Sequence, residues 1–88
     1  MTMLGMDVDG VRTFANQLNS KADEIESIVN TLTGALDHVQ WLGNDAHNFR
    51  NEWSSTHRVQ LQNVAHALRD AATVANHNAS QQEQTSAN

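Results

Sequence analysis

Apolar residues recur at intervals of three and four through both halves of the chain, and no proline interrupts them. This spacing puts an apolar side chain on the same face at every helical turn, which is typical of an amphipathic helix. Because proline breaks helix interiors, its absence lets each helix run on. The predicted fold class is all-α, with two long helices. The first stripe, expected to form the core and dimer seam, contains Val11, Phe14, Leu18, Ile25, Ile28, Leu32 and Val39.

A second line of apolar residues widens this stripe on one side. A stripe of that width is the face of a bundle helix, wider than a two-stranded coiled-coil seam. Either Asp7 or Asp9 can cap the start, since a carboxylate accepts hydrogen bonds from the free N–H groups of a first turn. The first helix is predicted over about 8–40. The widening line contains Ala15, Ala22, Val29 and Leu36.

The second half repeats the pattern less regularly, with His57 in a gap of the stripe. The spacing there is four and four, which predicts a stutter that shifts the contact face locally. The second helix is predicted over about 45–78. The polar segment from Ala79 predicts a flexible tail over 79–88. The predicted seam residues of this half are Phe49, Trp53, Leu61, Val64 and Leu68.

The stretch WLGNDAHNF, residues 41–49, separates the two helices. Gly43 can adopt a positive φ and end the first helix, and Asn44 or Asp45 can cap the second. A turn over 41–44 is short enough to make the helices antiparallel neighbours, so residues 1–88 form one helical-hairpin domain. Two wide apolar faces cannot cover each other completely. Two chains are therefore expected to form a four-helix bundle.

The charge and length exclude several classes of function. A net charge of −5, with one lysine and four arginines, disfavours nucleic-acid binding, which needs clustered positive charge. The start, MTMLGM, lacks the basic region of a secretory signal, and no apolar run approaches the roughly 20 residues of a membrane span. The chain is expected in the cytoplasm, or outside the cell by a route independent of a signal peptide.

Metal-binding and catalytic patterns are weak. The five histidines are never three or four residues apart, as ligands on one helix would be. His38 and His47 flank the turn and form the one pair that could approach a shared zinc ion. Ser54 and His57 lie one turn apart, without a third group to orient the histidine. We expect no enzyme activity, no cofactor and no metal.

Lys21 and His57 stand where the apolar stripes should continue. In one interpretation each lies at the seam's edge with its polar end in water. In the other they fix pairing register or partner choice, as polar seam residues do in helical assemblies. Protonation of His57 would then weaken the dimer at mildly acidic pH.

The centre of the chain resembles a known family. Trp41, Leu42 and Gly43 form a Trp-x-Gly turn between two amphipathic helices, and the block WLGNDAHNFRNEW follows the family pattern. In this respect the chain is similar to the WXG family of small early-secreted-antigen-like proteins of type VII secretion systems. The resemblance implies pairing with itself or a paralogous small WXG protein, and recognition of the Trp-x-Gly turn by the secretion ATPase.

The resemblance also implies a composite export signal, in which the turn lies near a C-terminal Tyr-x-x-x-Asp/Glu of the paired chain. This sequence has no tyrosine, and its nearest match is His77 with Gln81 four residues later; Glu83 is the only late acid. Either the signal is degenerate in this chain or a partner chain supplies it. The leading prediction is a secretion-linked interaction protein, exported or co-exported as a homodimer or heterodimer. The alternative is a membrane-active or pore-forming helical assembly, which the acidic residues Asp23, Glu24, Glu26 and Asp37 disfavour.

Overall fold

The computed structural model describes residues 5–87, with side chains for residues 5–85. Helix α1 spans Val8–His38, α2 spans Asn44–Glu52, and α3 spans Arg58–Ala87, with a π-helical segment at Trp53–His57 joining the last two. The second arm folds back antiparallel on α1, giving a rod of 66 × 17 × 14 Å. The prediction of an all-α hairpin is confirmed.

Helix α1 begins at a side-chain cap. The carboxylate of Asp7 accepts a hydrogen bond of 3.1 Å from the backbone N–H of Gly10. The carbonyl of Asp7 accepts a further bond of 2.9 Å from the N–H of Val11. Of the two aspartates predicted as caps, Asp7 is the one that acts, because it precedes the first helical residue.

The connection between the arms differs from the prediction. Helix α1 ends at His38, and Val39 follows in an extended conformation. Gly43 has a φ of +103°, as expected for a glycine at a reversal, but it stands immediately before α2 instead of closing α1. Neither Asn44 nor Asp45 caps the second arm, since both are already helical and Gly43 is the residue at the cap position. The predicted caps are therefore wrong.

The interior of the hairpin is built from small residues. On the two long helices the buried positions recur every seven residues, the period with which a helix keeps one face towards a neighbouring helix. Small side chains let the two backbones approach closely, and Val29 is the largest fully buried side chain in the described part. The buried line consists of Ala15, Ala22 and Val29 on α1 and Ala65, Ala72 and Ala79 on α3.

The predicted seam residues lie beside this line instead of within it. Large side chains do not fit between two helices whose contact is made by alanine, so they are displaced to one side of the hairpin. Placing them in the hairpin's own core was wrong, and their role in a dimer seam stays a prediction. The exposed ones are Phe14, Ile28, Leu32, Val39, Phe49 and Val64, and the half-buried ones are Val11, Leu18, Ile25, Trp53, Leu61 and Leu68.

The C-terminal segment is helical where a flexible tail was predicted. Ala79 is fully buried, and α3 continues to Ala87. Arg12 at the start of α1 pairs with Glu83 at 3.1 Å. Ala79 extends the seven-residue alanine period, and the polar residues around it belong to the solvent-facing sides of the helix. The tail prediction is thus wrong for residues 79–87, and residue 88 lies outside the described range.

The predicted stutter coincides with the π-helical segment. The N–H of Arg58 bonds to the carbonyl of Trp53, five residues earlier, so this turn holds one residue more than an α-helical turn. The extra residue rotates the contact face of the second arm between Phe49 and Leu61. In the sequence, this rotation corresponds to the spacing of four and four residues from Trp53 through His57 to Leu61.

Candidate interaction surface

The two sides of the hairpin differ in chemistry. A residue immediately before a buried position is turned by about 100° from it and points away from the contact between the helices. In two antiparallel helices, the residues at this position on either helix lie on the same side of the hairpin. One groove on this side is lined by Phe14 and Leu18 of α1 together with Leu68 of α3. We call this side the apolar face. Its apolar residues are Val11, Phe14, Leu18, Ile25, Ile28, Leu32, Ala35, Val39, Leu61, Val64, Leu68, Ala71 and Ala75.

A shallow groove of about 510 Å³ crosses the apolar face in the half nearer the N terminus. Phe14, with 54% of its surface exposed, forms one wall, and Lys21 lies at the other. The ammonium group of Lys21 pairs with Glu24 at 2.9 Å on the same helix. The aliphatic stem of Lys21 thus contributes to the groove while its charge is turned to the edge.

A second groove, of about 410 Å³, lies at the hairpin end. Its aromatic wall includes Trp41 and Phe49, whose ring centroids are 5.2 Å apart in a tilted arrangement. This spacing is within the range that favours aromatic pairs. The groove is continuous with the apolar face through α1. Its lining consists of Leu32, Ala35, Leu36, Val39, Trp41, Phe49 and Trp53.

Arg50 holds the hairpin end together. Its guanidinium donates hydrogen bonds to the carbonyls of Trp41 at 2.8 Å, Leu36 at 3.2 Å and Val39 at 3.1 Å. The carbonyls in the last turn of a helix lack partners within the helix. A side chain of α2 therefore caps the C-terminal end of α1 and fixes the backbone that carries Trp41.

Trp53 links the π-helical segment to α1. Its indole Nε1 donates a hydrogen bond of 2.9 Å to the hydroxyl of Thr33. The ring of His57 lies 6.4 Å from that of Trp53, centroid to centroid. The polar atom of Trp53 is thus satisfied within the hairpin while its ring lines the end groove.

The opposite side of the hairpin carries ion pairs between the two long helices. Arg69 of α3 lies 2.9 Å from Asp23 and 2.8 Å from Glu26 of α1. The hydrogen bond to Glu26, followed by that to Asp23, raises the pKa of Arg69 above its ordinary value. Arg12 and Glu83 make a similar contact near the termini. These pairs join α1 and α3 along the side of the hairpin opposite the apolar face.

The predicted recognition residues lie at the exposed end of the rod. Trp41 keeps 37% of its surface exposed and Leu42 keeps 83%. Gly43 provides the positive φ that turns the backbone beside them. Lys21 and His57 are both exposed on the side of the apolar face, so their roles in register and pH response stay predictions.

The histidines considered for zinc make local contacts. Nδ1 of His38 lies 2.7 Å from the carbonyl of Gly34, and Nε2 of His47 lies 3.3 Å from the amide nitrogen of Asn51. Within residues 5–87 no cluster of three or more histidine, cysteine, aspartate or glutamate residues is placed to bind a metal ion. None of the helices described is both long and apolar enough to cross a membrane.

Sequence reasoning missed two features of this surface. Arg50 was not singled out, although an arginine in the second turn of a helix that follows a short reversal can reach back to the end of the preceding helix. The alanine line was noted only as widening the stripe, although its strict seven-residue period marks it as the contact between the two helices.

Comparison of the chain with protein-family models, with curated protein sequences and with solved structures finds no match in any of the three.

Proposed function

We propose that the chain is an interaction protein linked to type VII secretion. It pairs through its apolar face with a second helical hairpin to form a four-helix bundle. The paired form presents the hairpin end with Trp41 to a secretion ATPase. The observation that carries this proposal is the apolar face itself, which runs along the whole hairpin and stays open to solvent.

The exposure of that face supports pairing. Phe14, Ile28 and Val64 each keep about half of their surface exposed, while alanines make the internal contact. The side of the rod that carries this face measures 66 × 17 Å, an outline of about 1,100 Å², which is large enough to hold an interface of the standard ~800 Å² per partner. Apolar patches of more than a few hundred Å² mark interaction sites in most soluble domains.

The link to secretion depends on the hairpin end. Trp41 and Gly43 form the Trp-x-Gly pattern at the reversal, and the indole lines a groove open to solvent. Packing against Phe49 accounts for part of its role, and its exposed edge is available for recognition. Because the chain has no tyrosine, a tyrosine-containing tail signal would have to come from another chain.

Export of Trp41→Ala from the native host tests the proposal. We expect the variant to pair as the parent does, since Trp41 lies at the end of the rod, and to be lost from the culture medium while accumulating in cells. Val74→Ala is the matched control, because it removes an exposed apolar side chain of α3 that lies away from the hairpin end. Equal export of parent and Trp41→Ala, with circular dichroism showing both folded, would contradict the role of Trp41.

A further inference from the structure

Helix α2 lies between two breaks in regular helical structure. Gly43, with a φ of +103°, stands immediately before it, and the π-helical segment Trp53–His57 follows it. The backbones of α1 and α3 lie close together along their length, whereas that of α2 is close to α1 at very few positions. We propose that α2 is a hinged lid on the end groove, which opens at the π-helical segment while α1 and α3 stay packed together.

The π-helical segment lets both parts of the second arm bury an alanine. Ala46 of α2 and Ala65 of α3 are both buried, and they lie 19 residues apart in the chain. At about 100° per residue, 19 residues of continuous α-helix would turn Ala46 about 100° away from the buried line. The π turn holds one residue more than an α-helical turn, so it cancels this offset. The segment therefore contains one residue in excess of a continuous α-helix.

This excess residue weakens the backbone hydrogen bonding of the segment. The N–H of Arg58 bonds to the carbonyl of Trp53, so the carbonyl of Ser54 loses the partner that an α-helix would give it. The guanidinium of Arg58 donates to that carbonyl instead, at 3.1 Å and on the exposed surface. None of the residues 53–57 is buried. Because exposed hydrogen bonds and few buried contacts are typical of segments that open locally, we place the hinge here.

Few contacts hold the lid closed. Ala46 is the buried residue of α2, and the ring of Phe49 packs against that of Trp41. Arg50 donates to three carbonyls at the end of α1 and in the reversal. Between α1 and α3, in contrast, the line of buried residues continues over the whole contact. Opening the lid therefore costs less free energy than separating the two long helices.

Opening the lid takes the end groove apart. Leu32 and Leu36 of α1 form one wall of this groove, and Phe49 of α2 forms part of the other. When α2 swings outward, Phe49 leaves Trp41 and the last turns of α1 become more exposed. This opening belongs to the single chain and does not depend on which partner the apolar face binds.

Amide hydrogen exchange of the full chain, followed by nuclear magnetic resonance, is the first test. The amides of Phe49 and Asn51 in α2 should exchange at least about tenfold faster than those of Val29 in α1 and Ala65 in α3. Equal protection of these four amides would mean that α2 opens only when the whole hairpin unfolds, and the lid would be rejected.

Arg50→Gln tests what holds the lid closed. It should speed exchange in α2 several-fold and leave the amide of Ala72 in α3 at the parent rate. Arg12→Gln is the matched control, because it removes an arginine that bonds at the opposite end of the rod, and it should not change exchange in α2. Faster exchange of α2 and Ala72 by the same factor in Arg50→Gln would indicate global destabilisation and contradict a separate lid.

Deletion of Ser55 tests the hinge itself. The deletion removes the excess residue, so the distance from Ala46 to Ala65 becomes about five full turns of α-helix and one continuous helix buries both alanines. We expect this variant to unfold at a temperature no lower than the parent does. Its α2 amides should slow to the rates found in α3, because the break in helical bonding is gone.

Deletion of Thr73 is the matched control. The hydroxyl of Ser55 bonds to the carbonyl of Asn51 at 2.7 Å, and that of Thr73 bonds to the carbonyl of Arg69 at 3.1 Å. Each deletion thus removes an exposed residue with the same local contact. Without Thr73, Ala79 turns about 100° away from the buried line, so this variant should unfold at a lower temperature than the parent.

Two results of the deletions count against the hinge. A folded Ser55 deletion whose α2 amides still exchange at the parent rate would show that the π turn does not control the lid. A Ser55 deletion that unfolds as readily as the Thr73 deletion would show that the segment holds no excess residue, and would overturn the hinge. Neither result bears on pairing or export.

Discussion

The guanidinium of Arg50 donates a hydrogen bond of 2.8 Å to the carbonyl of Trp41, nine residues earlier in the chain. The same group reaches the carbonyls of Leu36 and Val39, so one side chain joins the end of α1, the reversal and α2. The position of Trp41 therefore depends on Arg50 as well as on its own packing against Phe49.

Arg50→Gln is expected to lower the free energy of unfolding by about 1–3 kcal/mol, because three bonds from a charged donor are lost, one of them to the partly buried carbonyl of Leu36. Urea unfolding followed by circular dichroism measures the change. Arg58→Gln is the control, since Arg58 donates to a single exposed carbonyl, that of Ser54 at 3.1 Å. Equal losses of stability in the two variants would show that the three hydrogen bonds of Arg50 contribute no more than a local surface contact.

Gly43 and Gly34 should respond in opposite directions to alanine. A Cβ at either position meets open space, so only backbone conformation differs between them. Gly43 has a φ of +103°, where an L side chain is strained, so Gly43→Ala should destabilise the hairpin by about 1 kcal/mol or more. Gly34 lies inside α1, and Gly34→Ala should stabilise it by about 0.5–1 kcal/mol.

Thermal unfolding of both variants and the parent, measured side by side, shows whether each substitution raises or lowers the stability. A stabilising Gly43→Ala would mean that residue 43 adopts a different backbone conformation in solution. A destabilising Gly34→Ala would mean that the helix is distorted at that turn.

Local signals in the sequence predicted the features that local chemistry determines. Asp7 caps α1 because a carboxylate before a helix needs no distant partner, and the glycine at residue 43 has the positive φ of a reversal. The hairpin itself followed from two periodic stripes and a short connection. The π-helical segment left its trace as the irregular spacing around His57.

The features that were predicted wrongly or missed depend on the distance between the two helices. The periodicity of apolar residues in the sequence does not give that distance. Phe14 and Leu32 were expected in the core because they are large and apolar. The two helices meet through Ala15 and Ala22, and this close contact leaves no room for such large side chains between them. Ala79 was assigned to a tail because its neighbours are polar, although it continues the alanine period. Arg50 was missed because its three acceptors meet only after the chain reverses.

The close approach of the helices at the alanine line can be tested by overpacking. Ala22 is fully buried, so Ala22→Leu should push α1 from α3 and destabilise the hairpin by about 1–3 kcal/mol. Ala67→Leu, at an exposed position of α3, is the control and should change stability by less than about 0.5 kcal/mol. Urea midpoints give both values. Tolerance of leucine at residue 22 would mean that the helices are farther apart than the structure shows.

The hydrogen bond between Trp53 and Thr33 is a contact that can be isolated by a double-mutant cycle. Trp53→Phe keeps an aromatic ring and removes the indole donor, while Thr33→Val removes the acceptor and keeps the side-chain shape. Each change should cost about 1 kcal/mol, and the pair should show a coupling of about 0.5–1.5 kcal/mol. The control cycle combines Trp53→Phe with Thr31→Val, at an exposed threonine about half a turn from Thr33. Its coupling should be near zero. If both cycles give the same coupling, the π-helical segment is held against α1 by the packing of the Trp53 ring and not by its hydrogen bond.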